Sequence, residues 1–248
     1  MSKQKDIVNV RNFDLGHWHG IIIFALVDFR DLNSLTKDEE AVLAHANRYE
    51  FRRYTRMGEE VVDKDPRSLE QLRRLVLNSV ARSRSIHLQL LLVYIVAVAE
   101  RVLDDFLLAC FNTHPDRMYD YLRLTAESAI KGFVTLKDVV TANSKAELIQ
   151  NLARKAADNA NRGTFAERLR RIEKLTGFSF SEHRVKSLAS LAAKRNRLVH
   201  ELRLETVPED EVEEAFDLAL ALLKDLGHAA EKASLPYDDP SGLLGSPV

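Results

Sequence analysis

From Pro66 to Phe111 the chain contains no glycine and no further proline. Asp65-Pro66 is a strong helix start, because aspartate caps free N–H groups and proline is tolerated in the first turn. Apolar residues then recur at helical spacing, and between Leu90 and Ala99 they cover nearly the whole circumference. A helix that is apolar all round must be covered on several sides. This stretch therefore demands a bundle built around it, as one helix or as two broken near Ser83-Arg84-Ser85, where serine favours caps.

The rest of the chain has the same character. Helices are expected from Asp116 to about Lys131, from Ser144 to about Ala160, from Thr164 to Leu175 and from about Ser181 onward. A last one follows Thr206-Val207-Pro208-Glu209, with a stripe of Val212, Ala215, Phe216, Ala219, Leu222, Leu223 and Leu226. Thr164-Phe165-Ala166-Glu167 has the spacing of a capping box. So does Thr36-Lys37-Asp38-Glu39, which predicts a helix reaching about Met57 with Arg48, Arg52, Arg53 and Arg56 interleaved with aromatics. Nine glycines and six prolines in 248 residues leave little room for turns, and the fold class expected is all-α.

Residues 1–64 are the least regular and are expected to form a partly helical N-terminal extension. Ile21 to Val27 fits either a buried strand or a buried helical turn. On a strand His17 and His19 would share one side, but no cysteine or third ligand accompanies them, so no metal site is expected. The bundle proper is expected over 65–232. From Ser234 onward three of the six prolines occur with little periodicity, which predicts a flexible tail over 233–248.

Several chemistries leave no trace. There is no Gly-x-Gly-x-x-Gly, no phosphate-binding loop of the Gly-x4-Gly-Lys type and no His-Glu-x-x-His, so neither a nucleotide cofactor nor a metal is expected. The single cysteine, Cys110, sits among apolar neighbours and reads as a buried thiol. The N-terminus lacks an apolar secretory core, and Leu90–Ala99 is too short to span a bilayer, so a cytoplasmic protein without a membrane anchor is expected. The net charge is −1, so any nucleic-acid affinity must be local. From Arg162 to Arg203 eleven Lys/Arg stand against four Asp/Glu, a balance of +7, before six acidic residues between Glu209 and Asp217 reverse the sign.

Within that basic stretch lies Lys194-Arg195-Asn196-Arg197-Leu198-Val199-His200. Arg195 falls in the middle of an apolar stripe formed by Leu188, Leu191, Ala192, Leu198, Val199 and Leu202, where a helix held only by its core would carry leucine. A covered guanidinium needs an anion, a hydrogen-bond network or a stem that carries its head to water. Ala189, Ala193, Asn196 and His200 form a second row, with room for another helix or subunit to approach. His200 lies five residues after Arg195, about 140° round the helix, so the two meet only if Arg195 swings sideways or a second copy contributes.

Arg195, Asn196 and His200, with four residues between Arg and His inside LAAKRNRLVHE, resemble the signature of the HEPN superfamily over about residues 86–232. The resemblance implies a helical bundle and a metal-independent endoribonuclease whose composite site forms across a homodimer. It also implies toxin or antiviral-defence roles and an antitoxin or inhibitory partner. In such chemistry His200 would transfer protons and Arg195 would hold the scissile phosphate of single-stranded RNA. Asn196 would orient one of them, and the products would carry 2′,3′-cyclic phosphate and 5′-hydroxyl ends. Lys194, Arg197 and Arg203 are the accompanying RNA contacts. Leu202 occupies the place where some members carry a modifiable tyrosine, so control of that kind is not expected. The alternative is a non-catalytic helical dimerisation or binding module for a protein, nucleotide or RNA.

Overall fold

The computed structural model describes residues 12–47, 52–62, 65–123, 135–200 and 206–245. Among them the fold is all-α apart from two small two-stranded sheets. The centre is α3, Pro66–Thr113, an unbroken helix of 48 residues, roughly 72 Å long at 1.5 Å per residue. Asp65 caps it, accepting from the Arg67 amide at 3.3 Å. No break occurs at Ser83-Arg84-Ser85, because Arg84 is anchored there. Its Nε donates to Asn33 at 2.8 Å and its Nη2 to Glu209 at 2.6 Å.

Only the C-terminal half of α3 is core. Its buried positions begin at Leu88 and run through Leu92, Ile95, Ala99, Leu103, Phe106 and Phe111. One 18-residue window of α3 is long and apolar enough to cross a membrane by length and composition, and 44% of it is buried inside the protein. Around this half pack α6 (Lys145–Ala160), α7 (Phe165–Thr176), α8 (Glu182–His200) and α9 (Glu209–Lys232). Ser144 caps α6, and Thr164 with Glu167 forms the expected capping box of α7. In α9 the expected stripe is buried throughout.

Of the two readings open for Ile21 to Val27 the structure takes the helical one, and beyond that the N-terminal region departs from expectation in the cap and in the extent of its second helix. Ile21 to Val27 lies inside α1, Leu15–Lys37, which buries Leu15, Trp18, Ile22, Leu26 and Phe29 in the same core as α3. Trp18 brings its indole N–H to a buried carboxylate oxygen of Asp105 at 3.1 Å. As a result His17 and His19 sit on a helix, two residues and about 200° apart, and do not share a side. The second helix, α2, is Glu39–Ala46, capped by Asp38 rather than Thr36. Thr36 instead closes α1, its hydroxyl donating back to the Leu32 carbonyl at 2.9 Å. The helix predicted to reach Met57 ends at Ala46, and Arg52–Tyr54 pairs with Glu60–Val62 as an antiparallel hairpin of β2 and β3 around Gly58. Arg48, Tyr49 and Phe51 lie outside the described residues.

After α3, Pro115–Met118 forms a short 3-10 turn leading into α4, Tyr119–Arg123, and α5 covers Leu136–Thr141. The part of the expected helix beyond Arg123 lies outside the described residues. The predicted flexible tail is a correction. Up to residue 245 it packs on the bundle, with Leu235 buried and Tyr237–Asp238 (β4) paired in parallel with Phe13–Asp14 (β1). Asp239 holds the turn by accepting from the amides of Leu243 and Leu244 at 2.9 and 3.0 Å. Small contacts of this kind escaped a periodicity test because they are made by two-residue strands and one carboxylate.

Candidate functional site

Two ion pairs fix the rotation of α8 against the antiparallel α9. Arg184 lies 3.6 Å from Asp225 near one end, and Lys194 is bonded to Glu211 near the other. Burial pushes the Asp225 carboxyl up from its ordinary pKa against the pull of Arg184. The start of α8 is set by Gly177, whose φ of 72° ends α7 in the left-handed conformation. Glu173 then accepts from the Phe180 amide at 2.8 Å, and Ser181 accepts from the Arg184 amide at 3.2 Å.

That rotation turns Arg195 toward α3. Its Nη2 is 3.9 Å from Oε2 of Glu100, and its Nη1 donates to Asn196 Oδ1 at 3.0 Å. Its Nε is buried without a hydrogen-bond partner among the described residues. Arg168 of α7 approaches the other oxygen of Glu100 at 3.4 Å, and its Nε is likewise buried and unpartnered. One carboxylate thus faces two largely covered guanidiniums. Beside them Arg101, paired to Asp104 at 3.0 Å, and Asp158 line an open recess of about 420 Å³.

The outer row is as the spacing predicts: Ala193, Asn196 and His200 are exposed, and Ala189 is half-buried. Val199, expected in the stripe, is also exposed. His200 ends α8 and makes no hydrogen bond or ion pair among the described residues. Arg195 and His200 are not in contact through any hydrogen bond there. Five residues place them about 7.5 Å apart along the axis, so one copy alone does not join them.

The basic stretch is largely spent on the fold. Arg168, Arg184, Lys194 and Arg195 face carboxylates of other helices, Lys174 reaches Asp120 at 3.4 Å and Lys186 pairs with Glu182. Arg171 donates to the carbonyls of Ala160 and Arg162. Arg162, Arg170 and Arg197 remain exposed without a side-chain partner among the described residues. Lys194 and Arg197 line an open groove of about 370 Å³ between α8 and α9 that also contains Glu211 and Glu214. Arg203 lies outside the described residues.

Sequence reading missed Glu100 and Arg168. The signal for Glu100 was present, since it is the first charge after the apolar run that ends at Ala99. Its partners were not legible, because they come from helices more than 60 residues away. No family model matches this chain, and no curated protein or solved structure matches it significantly.

Proposed function

We propose that this chain is a metal-independent endoribonuclease of the HEPN type, acting on single-stranded RNA as a homodimer. The observation that carries the reading is the state of Arg195. Its guanidinium is oriented by Asn196 through Nη1, stands a long 3.9 Å from Glu100 through Nη2 and keeps 27% of its side chain exposed, while its Nε is covered. Such a group has donor capacity left for phosphate oxygens, and stabilising charge on a phosphorane is the task a fixed guanidinium performs best. His200, at an exposed helix end, is free to exchange protons with a bound 2′-hydroxyl or 5′-oxygen. A two-fold arrangement of the Ala193–His200 row supplies one histidine as base and a second as acid. Toxin or defence roles and an inhibitory partner are carried only by the resemblance, and a cytoplasmic location only by the sequence pattern.

A second reading is favoured by the Glu100 contact itself. An arginine that pairs with a carboxylate of the central helix explains its position in the stripe without catalysis, and the chain is then a helical binding or dimerisation module.

Incubating purified protein with mixed-sequence RNA in EDTA separates the two. The ribonuclease yields fragments with 2′,3′-cyclic phosphate ends, lost in His200→Ala and Arg195→Ala proteins of unchanged helicity. Absence of cleavage by a folded wild-type dimer overturns the enzyme reading.

A further inference from the structure

We infer that Arg168 is a positioning residue of the candidate site: it keeps the Glu100 carboxylate off Arg195, a role that rests on the ribonuclease reading for the phosphate Arg195 meets. Three helices supply the group, with Glu100 on α3, Arg168 on α7 and Arg195 on α8.

One carboxylate stands among two guanidiniums, so the group carries a surplus of one positive charge. The carboxylate is not shared equally. Arg168 Nη1 donates to Oε1 at 3.4 Å, whereas Arg195 Nη2 lies 3.9 Å from Oε2, beyond hydrogen-bond reach. Arg168 is also the more covered of the two, with 17% of its side chain exposed against 27%. A covered cation needs its counter-ion more than an open one does. The neutral pair therefore forms on Arg168, and the surplus falls on Arg195. Asn196 orients that guanidinium through a neutral oxygen, which leaves its charge uncancelled. A phosphate arriving at Arg195 supplies the missing anion.

Glu100 also has somewhere to go. The open recess of about 420 Å³ is lined by Glu100 and Arg168 but not by Arg195. The other cation of that recess, Arg101, is paired to Asp104 and does not compete. A carboxylate displaced by phosphate from beside Arg195 stays with Arg168 at the recess. Without Arg168, Glu100 becomes the full counter-ion of Arg195 and the competitor of RNA.

Multiple-turnover cleavage of a fluorescein-labelled single-stranded RNA in EDTA tests the role, with helicity followed by circular dichroism. Arg168→Met keeps the apolar stem and removes the charge, and it should lower kcat/KM about tenfold, one step of free energy for a counter-ion gained by Arg195. Adding Glu100→Gln restores the surplus charge on Arg195, so the double variant should return toward the wild-type rate. A purely structural arginine behaves the other way, since a second loss from the same cluster deepens the damage. Arg168→Lys keeps the charge and should stay near wild type, and Arg168→Gln takes the place of Arg168→Met should that variant not fold. An undiminished Arg168→Met, or a loss that Glu100→Gln fails to reverse, overturns the inference while the ribonuclease stands. A wild type that binds this RNA without cutting it fails the ribonuclease reading alone. The same reversal is then read in dissociation constants by fluorescence anisotropy, and its absence there overturns the inference. A wild type that neither cuts nor binds overturns both.

Discussion

Glu100 lies 3.9 Å from Arg195, while Arg168 takes its other oxygen at 3.4 Å. The carboxylate belongs to the central helix and the arginines to α8 and α7, so Glu100 is where three helices meet through charge. Removing it leaves two covered cations facing each other. Removing Arg195 leaves Glu100 still matched by Arg168. Glu100→Ala should therefore destabilise by about 2–3 kcal/mol, somewhat less than breaking a fully buried pair because the three side chains keep partial exposure. Arg195→Ala should cost about 1 kcal/mol or less, as for a long, partly exposed contact. Urea denaturation of the two variants gives the comparison, and equal losses would show that the two arginines do not share the charge.

Glu209 performs the corresponding task at the other end of the bundle. At the start of α9 it accepts from Lys37 of α1 at 2.8 Å and from Arg84 of α3 at 2.6 Å. The Lys37 hydrogen bond, then Asn33 and the two cations, outweigh desolvation and hold its carboxyl below the ordinary 4.5. A lowered folded pKa means that the stabilisation is complete above the ordinary pKa and is lost as pH falls through the folded value. Glu209→Gln should cost about 1–2 kcal/mol at pH 7, discounted for partial exposure. Thermal melts at pH 7 and pH 3.5 should show the gap between variant and wild type narrowing at the lower pH.

Cys110 is fully buried on α3, and desolvation pushes its thiol up to about 11 despite the nearby Arg117 cation. The thiolate is the reactive form, so native protein at pH 8 should react with an aromatic disulfide reagent only at the rate of opening. One equivalent should be released promptly in 6 M guanidinium. Prompt labelling of the native state would contradict the burial of this stretch of α3.

What the sequence made legible follows from what produces periodicity. The helices over 144–160, 164–176 and 182–200, the capping box at Thr164 and the α9 stripe are local patterns, and each is where spacing placed it, whereas the helix expected from Asp116 begins as a 3-10 turn. The outward row of Asn196 and His200 was legible for the same reason. What spacing could not supply was pairing. Most cations of the 162–203 stretch are bound to carboxylates from other helices or to carbonyls, so a count of +7 along the chain overstated the free charge. The hairpin at Arg52–Tyr54 and the β1–β4 contact were hidden because strands of two or three residues carry no measurable alternation. Thr36 misled because its hydroxyl can satisfy a carbonyl behind it as readily as an amide ahead.

The packed tail makes one substitution change sign. Gly227 lies inside α9, where alanine is ordinarily more stable than glycine by up to about 1 kcal/mol. Here an added Cβ would stand 2.7 Å from Leu244 Cδ2 and 3.1 Å from Leu15 Cδ1. The Leu244 contact is too close to survive, and displacing that side chain disturbs the turn held by Asp239. Gly227→Ala should therefore destabilise the wild type by about 1 kcal/mol, at the mild end of overpacking costs. In a Leu244→Ala background the tighter obstruction is gone, and the Leu15 contact asks for a shift of only a few tenths of an ångström. The same substitution should there become neutral or stabilising. A double-mutant cycle from urea melts reads the difference directly. Strict additivity would mean that Leu244 does not rest on α9 in solution, and the tail would then return to the flexible segment that its prolines suggest.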